Sequence, residues 1–171
     1  VIGLLKYLAV STQPDISFTM SQLSQFLEHP GITHWKACIH LLRYLRGNST
    51  RGLTLGSSVT PVVIFTDADH ANDHLTSYSY FGYVTLMGDS IISWKSKKNA
   101  SVSSSTTEAE YIALYEGGRE AIWIKRLLAA LDSPVSGPIK IQCDNQAVIA
   151  LSKNTVFHDR TKHFRVHVHW I

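Results

Sequence analysis

The sequence contains only two cysteines, Cys38 and Cys143. Two cysteines cannot provide the disulfide framework of a small secreted protein, so a reducing intracellular setting, cytoplasm or nucleus, is expected. No apolar run approaches the roughly 20 residues that a transmembrane helix needs, and we therefore predict no membrane span. The first residues are apolar but lack a basic leader, a convincing cleavage site and an initiating Met. This pattern favours an internal fragment of a longer chain over a signal peptide.

Charged residues are also few. They make up 17% of the chain against 44% hydrophobic residues, a balance typical of a soluble globular protein and not of a disordered one. The formal net charge of +3 is compatible with a nucleic-acid partner but is too small to indicate one by itself. No Walker loop, dinucleotide fingerprint or Ser-His-Asp arrangement is found, so none of these enzyme classes is indicated.

The spacing of apolar residues divides the chain into two parts. Residues 1–57 predict helices, because apolar side chains recur there at helical spacing. Residues 58–171 predict a strand, a hairpin turning at Gly88-Asp89, a long helix over 106–131, a further strand and a further helix. Strands and helices in this order indicate the α/β class, with an α+β-like mixed sheet and helices packed on it. The predicted apolar stripe of the first part is Ile16, Met20, Leu23, Trp35, Ile39 and Leu42.

Three acidic residues lie where a predicted strand ends or a predicted helix begins. Asp67 closes the apolar run PVVIFTD, Asp144 closes IKIQCD, and Glu110 lies in the opening of the long helix. A carboxylate at the tip of a hydrophobic strand is costly unless it has a partner. Convergent carboxylates suit Mg²⁺, which prefers oxygen ligands. The order strand Asp, helix Glu, strand Asp therefore indicates two-metal phosphodiester chemistry.

Two glutamates compete for the helix position in this site. Ser105 followed by Glu108 is a capping-box pattern, and Thr107 with Glu110 repeats it two residues later. With Ser105 as the N-cap, Glu108 is occupied at the helix end and Glu110 is free. We favour Glu110 as the metal ligand, since its neighbours at plus three, plus four and plus seven are small or apolar, and keep Glu108 as the alternative.

The long helix also contains the pair Gly117-Gly118. Each glycine costs a helix about 1 kcal/mol relative to alanine. Close packing of the helix backbone on the sheet would offset this cost. A kink at the pair is the alternative.

Several segments carry motifs that are specific in combination. They are FTDADHAND, ISWKSKKNASVSSSTTEAEYIAL, REAIWIKRLL and CDNQAVIALSKNTVFHDRTKH. Together they resemble the ribonuclease H domain of Copia-type (Ty1/copia) retrotransposon polyproteins. The upstream segment STQPDISFTMSQLSQFLEHPGITHWKACIHLLRYLRGNSTRGL resembles the end of the preceding reverse transcriptase. The resemblance covers nearly the whole chain.

The resemblance implies an RNase H-like fold that cleaves the RNA strand of RNA–DNA hybrids with two Mg²⁺ ions, Mn²⁺ being a possible substitute. It implies a polyprotein in which a reverse transcriptase and an integrase adjoin this chain. Residues 1–57 would be the helical tail of the reverse transcriptase and would bury little against the sheet. Residues 58–171 would be an RNase H-like domain, incomplete at its C-terminus.

Carried over by motif, the resemblance assigns Asp67, Glu110 and Asp144 as catalytic residues and metal ligands. Asp69, the second acid of DAD, is either near the site or a solvated loop acid. His163 matches a family position in the TKH motif.

The chain departs from the family pattern at several places. His70 replaces a Trp and Asn72 replaces a Gly in the first motif, and the acid that follows TKH in the family is absent. The chain also stops at Ile171, before the strand and helix that carry the family's fourth acid. These departures support the alternative of a catalytically inactive nucleic-acid-binding remnant. Another RNase H-like enzyme, an integrase or an exonuclease, fits the TEAEYIAL motif less well.

Two further groups of residues have a functional and a structural interpretation. Lys95, Lys97 and Lys98 beside Trp94 could contact the phosphates of a hybrid, or could form a solvated strand end. His158, His163, His167 and His169 crowd the C-terminus. A zinc site normally shows compact Cys/His pairs, so surface polarity is the favoured interpretation of these histidines.

Overall fold

The computed structural model describes residues 1–56, 61–71 and 77–153. The α-helices are α1 (Ile2–Ser11), α2 (Ser17–Leu23), α3 (Ile32–Gly47), α4 (Thr106–Ala130) and α5 (Gln146–Lys153). The strands are β1 (Val62–Asp69), β2 (Tyr80–Met87), β3 (Ser90–Lys98) and β4 (Lys140–Gln142). Short 3₁₀ turns over Pro14–Ile16 and Ser24–Phe26 flank α2. Within the described ranges, no helix has both the length and the apolar character that a membrane span requires.

The strands form one mixed sheet in the order β3-β2-β1-β4. β1, β2 and β3 are antiparallel neighbours, whereas β4 lies parallel to β1. The predicted hairpin turn is found between β2 and β3, and Gly88 there has a positive φ of 64°, which glycine adopts without strain. The mixed sheet and the long α4 confirm the predicted α/β class with a mixed sheet and helices packed on it.

The N-terminal helices bury a small core of their own. It consists of Leu5, Ala9, Ile16, Met20, Leu23, Cys38 and Leu41. The first half of the predicted stripe is therefore buried, but Trp35 is 56% exposed. α3 instead buries Cys38 and Leu41, because it carries two apolar stripes and helical periodicity alone does not say which one meets α1 and α2.

The N-terminal helices also pack on one face of the sheet. The indole Nε1 of Trp94 in β3 donates a hydrogen bond of 2.7 Å to the carbonyl of Ala9 in α1. The ring of Phe18 in α2 meets the ring of Tyr80 in β2 edge-on, with centroids 5.4 Å apart. These two contacts show that the expectation that residues 1–57 bury little against the sheet is wrong.

α4 covers the opposite face of the sheet. A Cβ added at Gly117 would lie 2.5 Å from the Cγ2 of Thr66 in β1, so only glycine allows the two backbones to come this close. α4 runs unbroken through the glycine pair, which favours close packing over a kink. Its first half is thereby fixed against β1, near the place where that strand ends.

Candidate metal centre

The parallel pairing of β1 and β4 brings two of the predicted acids to one edge of the sheet. Phe65 of β1 is in register with Gln142 of β4. Asp67 in β1 and Asp144, just beyond the end of β4, each follow two residues after this pair, so the parallel strands place them near each other. Both side chains are exposed at this edge.

The start of α4 separates the roles of the two competing glutamates. The Ser105 hydroxyl caps the helix by accepting a hydrogen bond of 3.1 Å from the Glu108 amide. The Glu108 carboxylate turns back and accepts hydrogen bonds from the Ser104 amide at 2.6 Å and the Ser104 hydroxyl at 2.8 Å. Glu108 is therefore engaged at the helix start, as the capping pattern predicts.

Glu110 lies one turn into α4 and faces the two strand ends. Its side chain is buried with 8% exposure, and its Oε2 has no hydrogen-bond partner within the part of the chain that the structure describes. Most buried polar atoms have a partner, so an unpartnered carboxylate oxygen is a position where a cation would be stabilising. This observation favours Glu110 over Glu108 as a metal ligand.

The three acids interact electrostatically. Burial raises the pKa of Glu110 to about 7, and the charges of Asp67 and Asp144 act in the same direction. The backbone N–H of Ala68 donates a hydrogen bond to the carboxylate and lowers the pKa in part. A bound cation would favour the ionised form of Glu110.

Cys143 is a further neighbour of Glu110 and Asp144. It is half-buried, and its Sγ lies within 4.8 Å of a carboxylate oxygen of Glu110 and of Asp144. Burial raises the pKa of the Cys143 thiol, and the charges of Glu110 and Asp144 add to this effect. Asp67 lies outside this group of three. In the sequence, the signal that Cys143 lies near the acids is its position next to Asp144 at the end of a predicted strand.

His70 and Asp69 lie at the end of β1. The His70 ring Nε2 is 3.1 Å from the carbonyl of Ser103, a contact that ties the end of β1 to the loop before α4. The residue that departs from the family pattern therefore helps to position the start of α4. Asp69 is exposed and pairs with Tyr80 across the ladder.

The structure does not bring the three lysines onto one surface. Lys95 faces α4 and forms an ion pair of 3.0 Å with Glu116. Lys98 faces the N-terminal helices and donates a hydrogen bond of 2.9 Å to Gln25. Lys97 is exposed. Phosphate contact by these lysines stays a prediction, with Lys97 best placed for it. His163 and the other C-terminal histidines, as well as Asn72, lie outside the described residues.

A groove opens beside the acids on the face that carries the N-terminal helices. Its volume is about 520 Å³. Asp67 and Asp144 line this groove together with Pro14 and Phe18 of the N-terminal segment. The acids of β1 and β4 are thus accessible to a ligand from this face, while α4 closes the other.

Comparison with known proteins gives relatives over the whole chain. No protein-family model matches the chain. It is 45% identical over 170 residues to the retrovirus-related Pol polyprotein from transposon TNT 1-94 of Nicotiana tabacum, covering 99% of this chain and 13% of that polyprotein. It is 40% identical over 172 residues to the Pol polyprotein from transposon RE2 of Arabidopsis thaliana, covering 100% of this chain and 12% of that polyprotein. The chain therefore spans a small part of the length of these relatives.

Among solved structures, the chain aligns with LC11-RNase H1 in complex with an RNA/DNA hybrid. The TM-score is 0.44 and the identity is 15%, over 63% of this chain and 75% of that one.

Proposed function

Because the chain belongs to the Copia-type retrotransposon Pol polyproteins, we propose that it is the ribonuclease H segment of such a polyprotein. Its substrate would be the RNA strand of an RNA–DNA hybrid, which it would cleave by metal-dependent hydrolysis. The observation that carries the proposal is the proximity of Asp67, Asp144 and Glu110, whose Oε2 has no hydrogen-bond partner among the described residues. Residues 1–57 would be the end of the reverse transcriptase, and an integrase would be a further neighbour in the polyprotein.

The residues at this edge fit a divalent cation. Carboxylate oxygens are the ligands that Mg²⁺ prefers, and Mn²⁺ shares this preference. Asp67, Glu110 and Asp144 would hold the metal, and the buried Oε2 of Glu110 would gain the partner it lacks. Bound metal would supply an activated water and stabilise the charge on the leaving oxygen.

The side chains around the proposed metal have separate roles in the reaction. Asp67 and Asp144 are exposed and line the groove, where a phosphodiester can reach them. Glu110 is held from behind by the Ala68 amide and by the burial of α4 against the sheet. Glu108 and His70 fix the start of α4 through Ser104 and Ser103. A fixed set of ligands reduces the reorganisation that the reaction requires.

The direct test is cleavage of a hybrid whose RNA strand is labelled, by the full 171-residue chain in Mg²⁺ or Mn²⁺. We expect shortened RNA from the parent, and loss of cleavage in Asp67→Asn and Glu110→Gln. Asp89→Asn is the matched control, since Asp89 is exposed in the hairpin turn at the opposite end of the sheet. Binding of the hybrid without cleavage in either metal would reject the nuclease and support the inactive nucleic-acid-binding remnant.

A further inference from the structure

A sulfur atom lies among the acids of the proposed metal site. The Sγ of Cys143 and one carboxylate oxygen each of Glu110 and Asp144 are all within 4.8 Å of one another. Mg²⁺ is a hard cation that prefers oxygen ligands and binds thiolate weakly. Zn²⁺, in contrast, binds thiolate sulfur together with carboxylate oxygen. The donor set of this group therefore suits a softer cation than the set of three carboxylates does.

An independent observation points to a ligand at the same place. Glu110 is more than nine-tenths buried, with 8% exposure, and its Oε2 has no hydrogen-bond partner among the described residues. Leaving a buried acceptor without a hydrogen-bond partner is destabilising. A cation bound to this carboxylate would remove that destabilisation.

We propose that Glu110, Cys143 and Asp144 form a site for a thiophilic divalent cation, Zn²⁺, which competes with Mg²⁺ for the two carboxylates. The site itself rests on the geometry of the three donors. Zn²⁺ bound to these carboxylates would block hydrolysis, and only this consequence rests on the proposed nuclease function. Three protein ligands would leave the fourth position of a tetrahedral Zn²⁺ to water.

The distances are compatible with such a site. With Zn–S of about 2.3 Å and Zn–O of about 2.1 Å, sulfur and oxygen ligands stand about 3.6 Å apart in a tetrahedron. The sulfur–oxygen distances therefore have to contract by about 1.2 Å at most, and the oxygen–oxygen distance by about 1.4 Å at most. Asp144 is exposed and can supply this movement.

Neighbouring groups hold the ligands in place. The Thr66 hydroxyl donates a hydrogen bond of 3.4 Å to the carbonyl of Gln142, the residue before Cys143. The Asn145 Oδ1 accepts hydrogen bonds from the amides of Ala147 at 3.0 Å and Val148 at 3.1 Å, which anchors the chain just after Asp144 to α5. Such outer contacts orient metal ligands and support affinity.

The decisive experiment uses Co²⁺ as a spectroscopic substitute for Zn²⁺ on the full chain. A cobalt–thiolate bond gives a charge-transfer absorption in the near ultraviolet that histidine ligands do not give, so the nine histidines of the sequence do not confuse the readout. We expect this band in the parent, its displacement by Zn²⁺, and its loss in Cys143→Ser. Cys38→Ala is the matched control, because Cys38 is buried in the core of the N-terminal helices. It should keep the band, and circular dichroism checks that both variants are folded.

Two results would overturn the site: a parent without the band, or a Cys143→Ser variant that keeps it. Glu110→Gln should weaken Co²⁺ binding at least tenfold, and unchanged affinity would remove Glu110 from the site. Added Mg²⁺ should raise the apparent dissociation constant of Co²⁺, whereas no effect would reject the shared carboxylates. A parent that shows the band but cleaves no hybrid would retain the zinc site and reject the nuclease, and cleavage without the band would do the reverse.

Discussion

Gly117 of α4 lies so close to Thr66 of β1 that a Cβ at position 117 would stand 2.5 Å from the Thr66 Cγ2. Thr66 is the residue before Asp67, and its hydroxyl donates a hydrogen bond of 3.4 Å to the carbonyl of Gln142 in β4. One contact therefore sets the distance between α4 and the two strands, β1 and β4, that position Asp67 and Asp144. The candidate metal centre depends on this spacing.

Gly117→Ala is expected to destabilise the protein although alanine favours helices. Overpacking costs about 1–3 kcal/mol, whereas the gain in helix propensity is about 1 kcal/mol. Gly118→Ala is the matched control, because nothing lies within 4 Å of a Cβ there, and it should stabilise by up to about 1 kcal/mol. Urea unfolding of both variants measures the difference. Equal stabilisation of the two would contradict the close contact.

The stability of the metal-free protein should depend on pH through Glu110. Burial raises the pKa of Glu110 to about 7 from an ordinary value of 4.5, with Asp67 and Asp144 contributing in the same direction. The folded state thus holds the proton more tightly than the unfolded state does. This contribution to stability is complete below pH 4.5 and is lost as the pH rises through about 7.

Glu110→Gln is the variant that tests this pH dependence, since glutamine is similar in shape and carries no charge. In the presence of a chelator, the free energy of unfolding of the parent should fall relative to that of the variant by about 1–3 kcal/mol between about pH 4.5 and pH 8. Parallel pH profiles for parent and variant would show that the Glu110 carboxyl does not sit in this environment.

The features of the site that the sequence predicts depend on residues close to one another along the chain. Asp67 and Asp144 close apolar runs, and parallel strands bring their ends to one edge, so local pattern was sufficient. Glu110 was favoured because apolar residues at plus three, plus four and plus seven define the buried face of a helix. The engagement of Glu108 also followed from the capping pattern, although its partner is Ser104.

Other features depend on contacts between distant residues. Cys143 sits at the end of a strand of three residues, which is too short for an alternating pattern to show which way the thiol points. The packing of Trp94 on Ala9 joins residues 85 positions apart, and no local periodicity predicts it. The lysines are a different case. The two-residue period of a strand puts Lys95 and Lys98 on opposite faces, and that signal was present in the sequence.

Trp94→Phe should weaken the packing of the N-terminal helices on the sheet. The variant keeps most of the apolar contact but loses the hydrogen bond of 2.7 Å to Ala9, whose residue is 2% exposed. A loss of about 1 kcal/mol is expected from thermal or urea unfolding. Trp123→Phe is the control, since Trp123 is 55% exposed, and its effect should stay within about 0.5 kcal/mol. Equal effects would indicate that the Trp94 contact adds no stability.

Lys97 should contribute to binding of an RNA–DNA hybrid more than the other two lysines of β3. It is in register with Phe81, which in turn pairs with Ala68 beside Asp67. Two strand spacings of about 4.8 Å put the Lys97 backbone about 10 Å from β1 in the same row. Lys95 and Lys98 already bind Glu116 and Gln25. Lys97 is therefore the exposed lysine of β3 that is best able to meet a phosphate, although the period of the strand places it on the face of Lys95 and Ala68 and not on that of Asp67.

Lys97→Gln and Lys125→Gln remove the same charge from different places, which separates a local contact from a general effect of net charge. Lys125 lies fifteen residues beyond Glu110 on α4, about 22 Å along the helix. Hybrid binding is measured in a chelator over a series of salt concentrations. Loss of one phosphate contact should reduce the slope of log affinity against log salt by about 1 in Lys97→Gln, and the Lys125→Gln slope should match the parent. Equal slopes in the two variants would mean that Lys97 makes no phosphate contact.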